Sequence, residues 1–190
     1  MDIEEIIYKR RTIRRFKQKP VSIEILNKLV DFARMAPMGN NIQCLEYIIV
    51  LNDSFRERLF PMLSWAGSLP KENREPEVNQ RPMAYVIVLV NTKIKKNADF
   101  ELGSAIENIL LGAVKFGLGS CWMGAIDRNK IKELFKISNE YNIRNVISLG
   151  YPDEKSVIEP FIDSFKYWKD EAGVMHIPKR SLDDIILNIF

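Results

Sequence analysis

Ile3, Ile6 and Ile7 recur at helical spacing among the acids Asp2, Glu4 and Glu5, which favour the start of a helix dipole and predict a short first helix. Ser22 is a helix N-cap residue, and Leu26, Leu29, Val30 and Ala33 then mark one face of a second helix. That helix must stop near Ala36, because Pro37 disfavours helical backbone in the residue before it. Tyr47 to Leu51 is a short, β-branched apolar run and predicts a buried strand, and Phe55 to Leu63 reads as helical. The run Ala84 to Val90, AYVIVLV, is the clearest buried strand. Leu102, Ala105, Ile106, Ile109, Leu110 and Ala113 keep the spacing of a long core helix, which Gly117 and Gly119 end. Ser120–Met123 predicts a strand, Asn129–Phe135 a helix, and Val146–Leu149 a strand stopped by Gly150 and Pro152. About five helices and four strands make a mixed α and β layered architecture, the α+β class.

Two stretches break the pattern. Residues 67–82 carry Gly67, three prolines and many charges, as expected of a mobile surface excursion that could cover a site as a lid. From Pro160 onward, Phe161, Phe165 and Trp168 are apolar without forming a self-sufficient unit, so residues 160–190 are expected to pack on a partner subunit. With no internal repeat and 190 residues, the chain is expected to form one domain with such an arm.

Composition narrows the function classes. Hydrophobic residues are 46% of the chain and charged ones 28%, enough for a core and unlike a disordered chain. A net charge of +3 argues against a dedicated nucleic-acid binder. Cys44, Cys121 and His176 are too few and too scattered for a disulfide framework or a zinc site, so no metal is expected. The start, MDIEEIIYKRR, lacks the basic and apolar regions of a secretion signal, and no apolar stretch approaches the roughly 20 residues that cross a bilayer. A reduced, cytoplasmic protein without membrane or nucleic-acid partners is expected.

Four clusters carry candidate chemistry. In an extended backbone Arg10, Thr12 and Arg14 face one side and Arg11, Ile13 and Arg15 the other, so two guanidinium forks and a hydroxyl converge as a phosphate would need. A solvated basic strip has the same composition. Ala36 to Gln43, APMGNNIQ, offers paired amide donors and acceptors suited to a heterocycle edge, or an ordinary connecting loop. Gly117 to Ala125, GLGSCWMGA, allows backbone to approach a flat ligand, or simply strand packing. Lys179 and Arg180 add two late cations, which also suit a surface helix start. Neither a GxGxxG fingerprint nor a P-loop is present.

In order and spacing, these clusters resemble the FMN-dependent nitroreductase family from end to end. The family's RRS-x-R-type opening corresponds to Arg10-Arg11-Thr12-Ile13-Arg14 followed by Pro20-Val21, and its APS-x-x-N-x-Q-type loop to Ala36–Gln43 before a strand. Its long helix into GLG-[TS]-x-W-x-G corresponds to Asn108–Gly124, its GYP to Gly150-Tyr151-Pro152, and its late cation before a short tail helix to Lys179 or Arg180. The resemblance implies a mixed central sheet flanked by helices, in a homodimer with exchanged C-terminal arms. It implies that Arg10, Arg11, Thr12 and Arg14 hold the phosphate, ribityl and pyrimidine parts of FMN, and that Lys179 or Arg180 completes the phosphate clamp. Pro37, Met38, Gly39 and Asn41 would come from the second subunit, and Met123, Gly124 and Ala125 would place backbone near the flavin N5. It further implies an oxidoreductase that passes hydride from NADH or NADPH through the flavin to a small electron-poor acceptor, a nitroaromatic or quinone, in a ping-pong cycle without an essential side-chain acid or base.

The chain departs from the family at Met38, where a serine is usual, and at Cys44-Leu45, where Pro-Trp is common. Cys44 is expected to be a small buried hydrophobe rather than a reactive thiol. Trp122 is expected in the core, and His176 at the surface or in packing. Other readings remain open: the same fold with a dehalogenating, dehydrogenating or flavin-destroying reaction, a non-catalytic flavin-binding or redox-sensing protein, and a basic interaction module.

Overall fold

The strand AYVIVLV alternates between two cores, and that alternation organises the molecule. Ala84, Val86, Val88 and Val90 enter one buried cluster, while Tyr85, Ile87 and Leu89 enter a second on the other face. A strand apolar on both faces must have both faces covered, so the sheet lies between two layers. A computed structural model describes residues 1–190.

In chain order the elements are α1 (Ile3–Lys9), β1 (Phe16–Lys17), α2 (Ile23–Arg34), β2 (Leu45–Val50), α3 (Asp53–Leu59) and β3 (Ala84–Asn91). There follow α4 (Asp99–Lys115), β4 (Gly119–Met123), α5 (Arg128–Phe135), β5 (Tyr141–Pro152), β6 (Ser156–Pro160), β7 (Trp168–Lys169) and β8 (Met175–Lys179). β5 is the hub: β3 lies along one edge, while β4 and then β1 share the other, and β2 lies outside β3. All these pairs are antiparallel, and an isolated parallel bridge from Thr12 to Ser120 adds a further partner outside β4.

Helices α2 and α4 cover one face through Leu26, Leu29 and Ala33 against Leu102, Ile106 and Ile109. Gly112 lets the two helices touch, since a Cβ there would sit 2.6 Å from the Phe32 ring. α3, α5, Phe60, Leu63 and Trp65 cover the other face. Local signals set the ends as expected: Ser22 Oγ accepts from Ile25 N–H at 3.4 Å, and Gly117 at φ 72° ends α4, with Leu118 N–H returning to the Ala113 carbonyl. The helix expected over 55–63 ends at Leu59, and Pro61 stands in the short 3₁₀ turn Phe60–Met62 that follows.

β8 pairs in parallel with β6 and antiparallel with β7, forming a small sheet within the same chain. Met175 packs with Ala66 and Leu69, which attaches that sheet to the start of the 67–82 excursion. The excursion is tied elsewhere: Arg15 donates to Asn73 O, Gln80 to Asp153, and Gln18 to Arg81 O. In place of a tail helix there is a single turn, where Ile185 and Ile186 N–H donate to Leu182 O.

Candidate functional site

The arginine segment runs along the outer edge of β4. Ile13 N–H donates to Ser120 O at 2.9 Å, and Gly119 makes room for the Ile13 side chain, since a Cβ on Gly119 would lie 2.7 Å from Ile13 Cβ. Ile13 is buried, so Arg10, Thr12 and Arg14 share the other side of the extended chain, as the alternation requires. Arg10 Nε approaches Glu107 at 3.5 Å, and the Arg14 guanidinium lies 4.7 Å from the Tyr167 ring centroid. Burial, with Arg10 beside it, pulls the Arg11 guanidinium below the usual arginine range. A cation held next to another cation is relieved by a bound anion. Ser120 Oγ is buried without a partner beside this segment, so the strip combines crowded positive charge with an unused hydroxyl.

Glu154 and Tyr167 belong to this region and were not singled out from the sequence. The Glu154 carboxylate accepts the Arg14 N–H and faces Arg15 at 3.5 Å, with its side chain only 3% exposed. Tyr167 joins the tail to the excursion, because its hydroxyl accepts from Ser68 N–H. Nothing periodic marks either residue; the only signal for Glu154 is its place just after the GYP at the end of β5.

Met123, Gly124 and Ala125 leave the other end of β4. Their carbonyls are occupied, by Asn145 Nδ2, Arg128 and Ser64 N–H respectively. The N–H groups of Gly124 and Ala125 donate to nothing within the chain, and both residues are exposed, which leaves two backbone donors for a ligand. Trp122, expected in the core, is 41% exposed. Cys121 and Met123 enter the α3 and α5 cluster, so the alternation of β4 turns Trp122 to the opposite face, where it stays outside the core cluster.

The loop Pro37–Asn41 makes no hydrogen bond or ion pair to the arginines. It leads into β2, at the opposite sheet edge, about 19 Å from the arginine segment across four strand spacings. The pairings Leu45↔Val90↔Asn142 and Ser120↔Leu149 put the start of β2 and Ser120 at opposite ends of β5, roughly 23 Å apart along the strand. Lys179 closes β8 opposite Pro160, at the far end of β6 from Ser156, and Arg180 turns back on Asp184 O. One chain therefore puts Arg10, Thr12 and Arg14 on one side of the segment and Arg11 with Ile13 on the other, and makes no hydrogen bond or ion pair between them and the loop, Lys179 or Arg180.

Neither thiol is activated. Burial pushes Cys121 up to about 11 despite nearby Arg14, and burial likewise raises Cys44. No group of three or more His, Cys, Asp or Glu side chains is arranged to hold a metal ion. No helix is long and apolar enough to cross a membrane.

Residues 7–151 match the model of the nitroreductase family. A protein of Methanothermobacter thermautotrophicus, provisionally named an NADH dehydrogenase/NAD(P)H nitroreductase, is 32% identical over 81% of this chain and 79% of its own length. A protein of the same provisional name from Archaeoglobus fulgidus is 30% identical over 82% of this chain and 88% of its own. In fold, a crystal structure from Desulfovibrio desulfuricans, described as a provisional nitroreductase in complex with FMN, superposes with a TM-score of 0.71 at 19% identity, covering 100% of this chain and 97% of that one.

Proposed function

Because this chain belongs to the nitroreductase family, we propose that it is an FMN-dependent oxidoreductase that takes hydride from NADH or NADPH and delivers it to a small electron-poor acceptor such as a nitroaromatic or quinone. The observation that carries this reading is the crowded strip of Arg10, Arg11, Thr12 and Arg14 on the edge of β4, one end of a strand whose other end offers two unused backbone donors. That donor set fits a phosphorylated, flat heterocycle: forked cations for phosphate oxygens, hydroxyls of Thr12 and Ser120 for a polyol, and Gly124 and Ala125 N–H for a ring edge.

Bound FMN supplies the two-electron chemistry that no side chain here offers. The protein's part is to bind and orient. Arg10 and Arg11 hold phosphate, and Arg14 places positive charge beside the ring. With both thiols buried and unactivated, no side chain is assigned as nucleophile, acid or base. The choice of acceptor belongs to the open face near Trp122 and to residues 67–82 acting as a lid.

The site is shared by two copies. Pro37, Met38, Gly39 and Asn41 precede β2 at the sheet edge opposite the arginine segment, and a two-fold partner supplies them to the other copy's ligand. The tail supports pairing: Leu182, Ile185, Leu187 and Ile189 are exposed, and a groove of about 420 Å³ lined by Ile3, Ile6, Phe32 and Leu111 lies open between α1, α2 and α4. Arm exchange would also let Lys179 or Arg180 reach the partner's phosphate. The expected setting is a reducing cytoplasm.

Steady-state oxidation of NADH and NADPH, with and without a nitro or quinone acceptor, tests the reaction. Acceptor-dependent oxidation that requires FMN is expected. A protein that binds FMN yet oxidises neither nucleotide refutes the enzymatic reading and leaves a flavin carrier or sensor.

A further inference from the structure

Helix α4 is apolar along most of its length, yet its first three turns carry Glu101, Ser104 and Asn108 at positions i, i+3 and i+7. Those positions share one face, where Asn108 meets the last turn of α2 and Ser104 and Glu101 meet the α2–β2 connection. Asn108 Nδ2 donates to Phe32 O at 2.9 Å, Ser104 Oγ to Pro37 O at 3.2 Å, and Gly39 N–H donates to Glu101 Oε1 at 3.3 Å. Glu101 is the costly member. Its side chain is 5% exposed, its Oε1 also receives Lys95 Nζ at 2.6 Å, and its Oε2 is buried with no partner. A carboxylate held in this way is expensive unless something depends on it.

What depends on it is a loop that would not keep its shape alone. Asn40, Asn41 and Gln43 all have positive φ, at 53°, 52° and 44°, a conformation that L-residues other than glycine seldom adopt. Inside the loop, Asn41 N–H returns to Met38 O and Ile42 N–H to Gly39 O. These bonds close the turn, and Met38 and Ile42 rest against the core cluster that holds Ala36 and Cys44 at its two ends. From α4, Ser104 donates to the Pro37 carbonyl and Glu101 accepts from the Gly39 N–H, while Gln43 Nε2 reaches Asn41 O at 3.5 Å from the loop's own end.

We infer that Glu101 and Ser104 are positioning residues that clamp the Pro37–Asn41 loop in the pose in which it serves the FMN site of a second copy of this chain. This rests on the proposed flavin function and assigns part of its geometry to residues that need not touch the ligand. The acceptor oxygen matters more than the charge: Glu101→Gln keeps an acceptor for Gly39 and frees Lys95 to solvent, whereas Glu101→Ala leaves the Gly39 amide without a partner.

The experiment has a ligand-free arm and a flavin arm. Without FMN, hydrogen exchange at residues 37–43 should quicken about tenfold or more in Glu101→Ala and Ser104→Ala, and stay near wild type in Glu101→Gln. Unchanged exchange in both Ala variants overturns the clamp, whether or not the protein proves to bind flavin. If Glu101→Ala does not fold, Ser104→Ala decides alone. In the flavin arm, Glu101→Ala should weaken FMN binding about tenfold. A dimer assembled from one Glu101→Ala chain and one Arg10→Ala chain should then recover one site of wild-type affinity, because one arginine strip and the loop facing it are both intact. Two equally weak sites in that dimer overturn service across the interface. Failure of wild type to take up FMN defeats the proposed function but leaves the exchange result standing.

Discussion

Gly119→Ala is the sharpest structural perturbation at the arginine strip. An added Cβ would meet Ile13 Cβ at 2.7 Å and both Ile13 Cγ atoms at 2.8 Å, where carbon atoms normally rest at about 3.5–4.0 Å. Ile13 cannot step aside cheaply. Its branched Cβ restricts χ1, the clashing atoms lie nearest the backbone, and its N–H is bonded to Ser120 O at 2.9 Å. The strip must move off β4 by roughly 0.8 Å or the strand must bend, at a cost of about 1–3 kcal/mol. For a chain of this size that lowers Tm by roughly 2–12 °C. Gly103→Ala is the control: nothing lies within 4 Å of its added Cβ, and alanine in a helix interior gains about 1 kcal/mol, so Tm should rise. Adding Ile13→Gly to Gly119→Ala should cost less than the two single losses combined, because the Ile13 Cβ and Cγ atoms that meet the added methyl are then gone. Thermal unfolding followed by circular dichroism reads the wild type, the three single variants and the double variant. A Gly119→Ala melt equal to wild type, or strictly additive losses in the double variant, refutes the close packing of the strip.

Three further outcomes follow from the same structure. His176 has a carboxylate at each ring nitrogen, Asp170 at 3.2 Å and Glu159 at 3.0 Å, and a neutral ring can donate to only one of them. Its pKa is therefore raised, by the Asp170 hydrogen bond first and Glu159 next, against some desolvation. The stability this gives the β6–β8–β7 sheet is complete below the unfolded value near 6.5 and is lost as pH rises through the higher folded value. The NMR titration of this single histidine should have a midpoint above 6.5 that falls back in Asp170→Asn; an unshifted midpoint contradicts the pairing. Arg14→Ala should weaken FMN binding about tenfold or more through loss of a charged hydrogen bond, and equal affinity in equilibrium dialysis removes Arg14 from the site. Neither Cys44 nor Cys121 should react with a thiol reagent until the protein unfolds, so rapid labelling of the native chain contradicts their burial.

The elements most legible in the sequence are those whose burial is strongest. Ala84–Val90 and the i, i+3, i+4 face of α4 place both cores, because no exposed arrangement tolerates such runs. The arginine strip was legible as an extended segment because Ile13 alternates with its charged neighbours. β6, β7 and β8 were not, since Ser156–Pro160 and Met175–Lys179 are short, end near prolines and are held partly by the cluster of Trp168, His176, Glu159 and Asp170 rather than by apolar alternation. Trp122 was misplaced because composition speaks for burial while strand register decides the face. Glu101 and Ser104 carry no sequence signal of their own, because polar residues beside the apolar stripe of α4 have the pattern of an ordinary solvent face. The distance between the Pro37–Asn41 loop and the arginines depends on strand order, which local pattern does not carry.

Sedimentation of the purified protein mixed with FMN, followed at the flavin's own visible absorbance, tests the central claim most directly. The colour should travel with the mass of two 22.1-kDa chains. Colour that stays with free FMN, or that travels with a single chain, contradicts a cofactor site built from both.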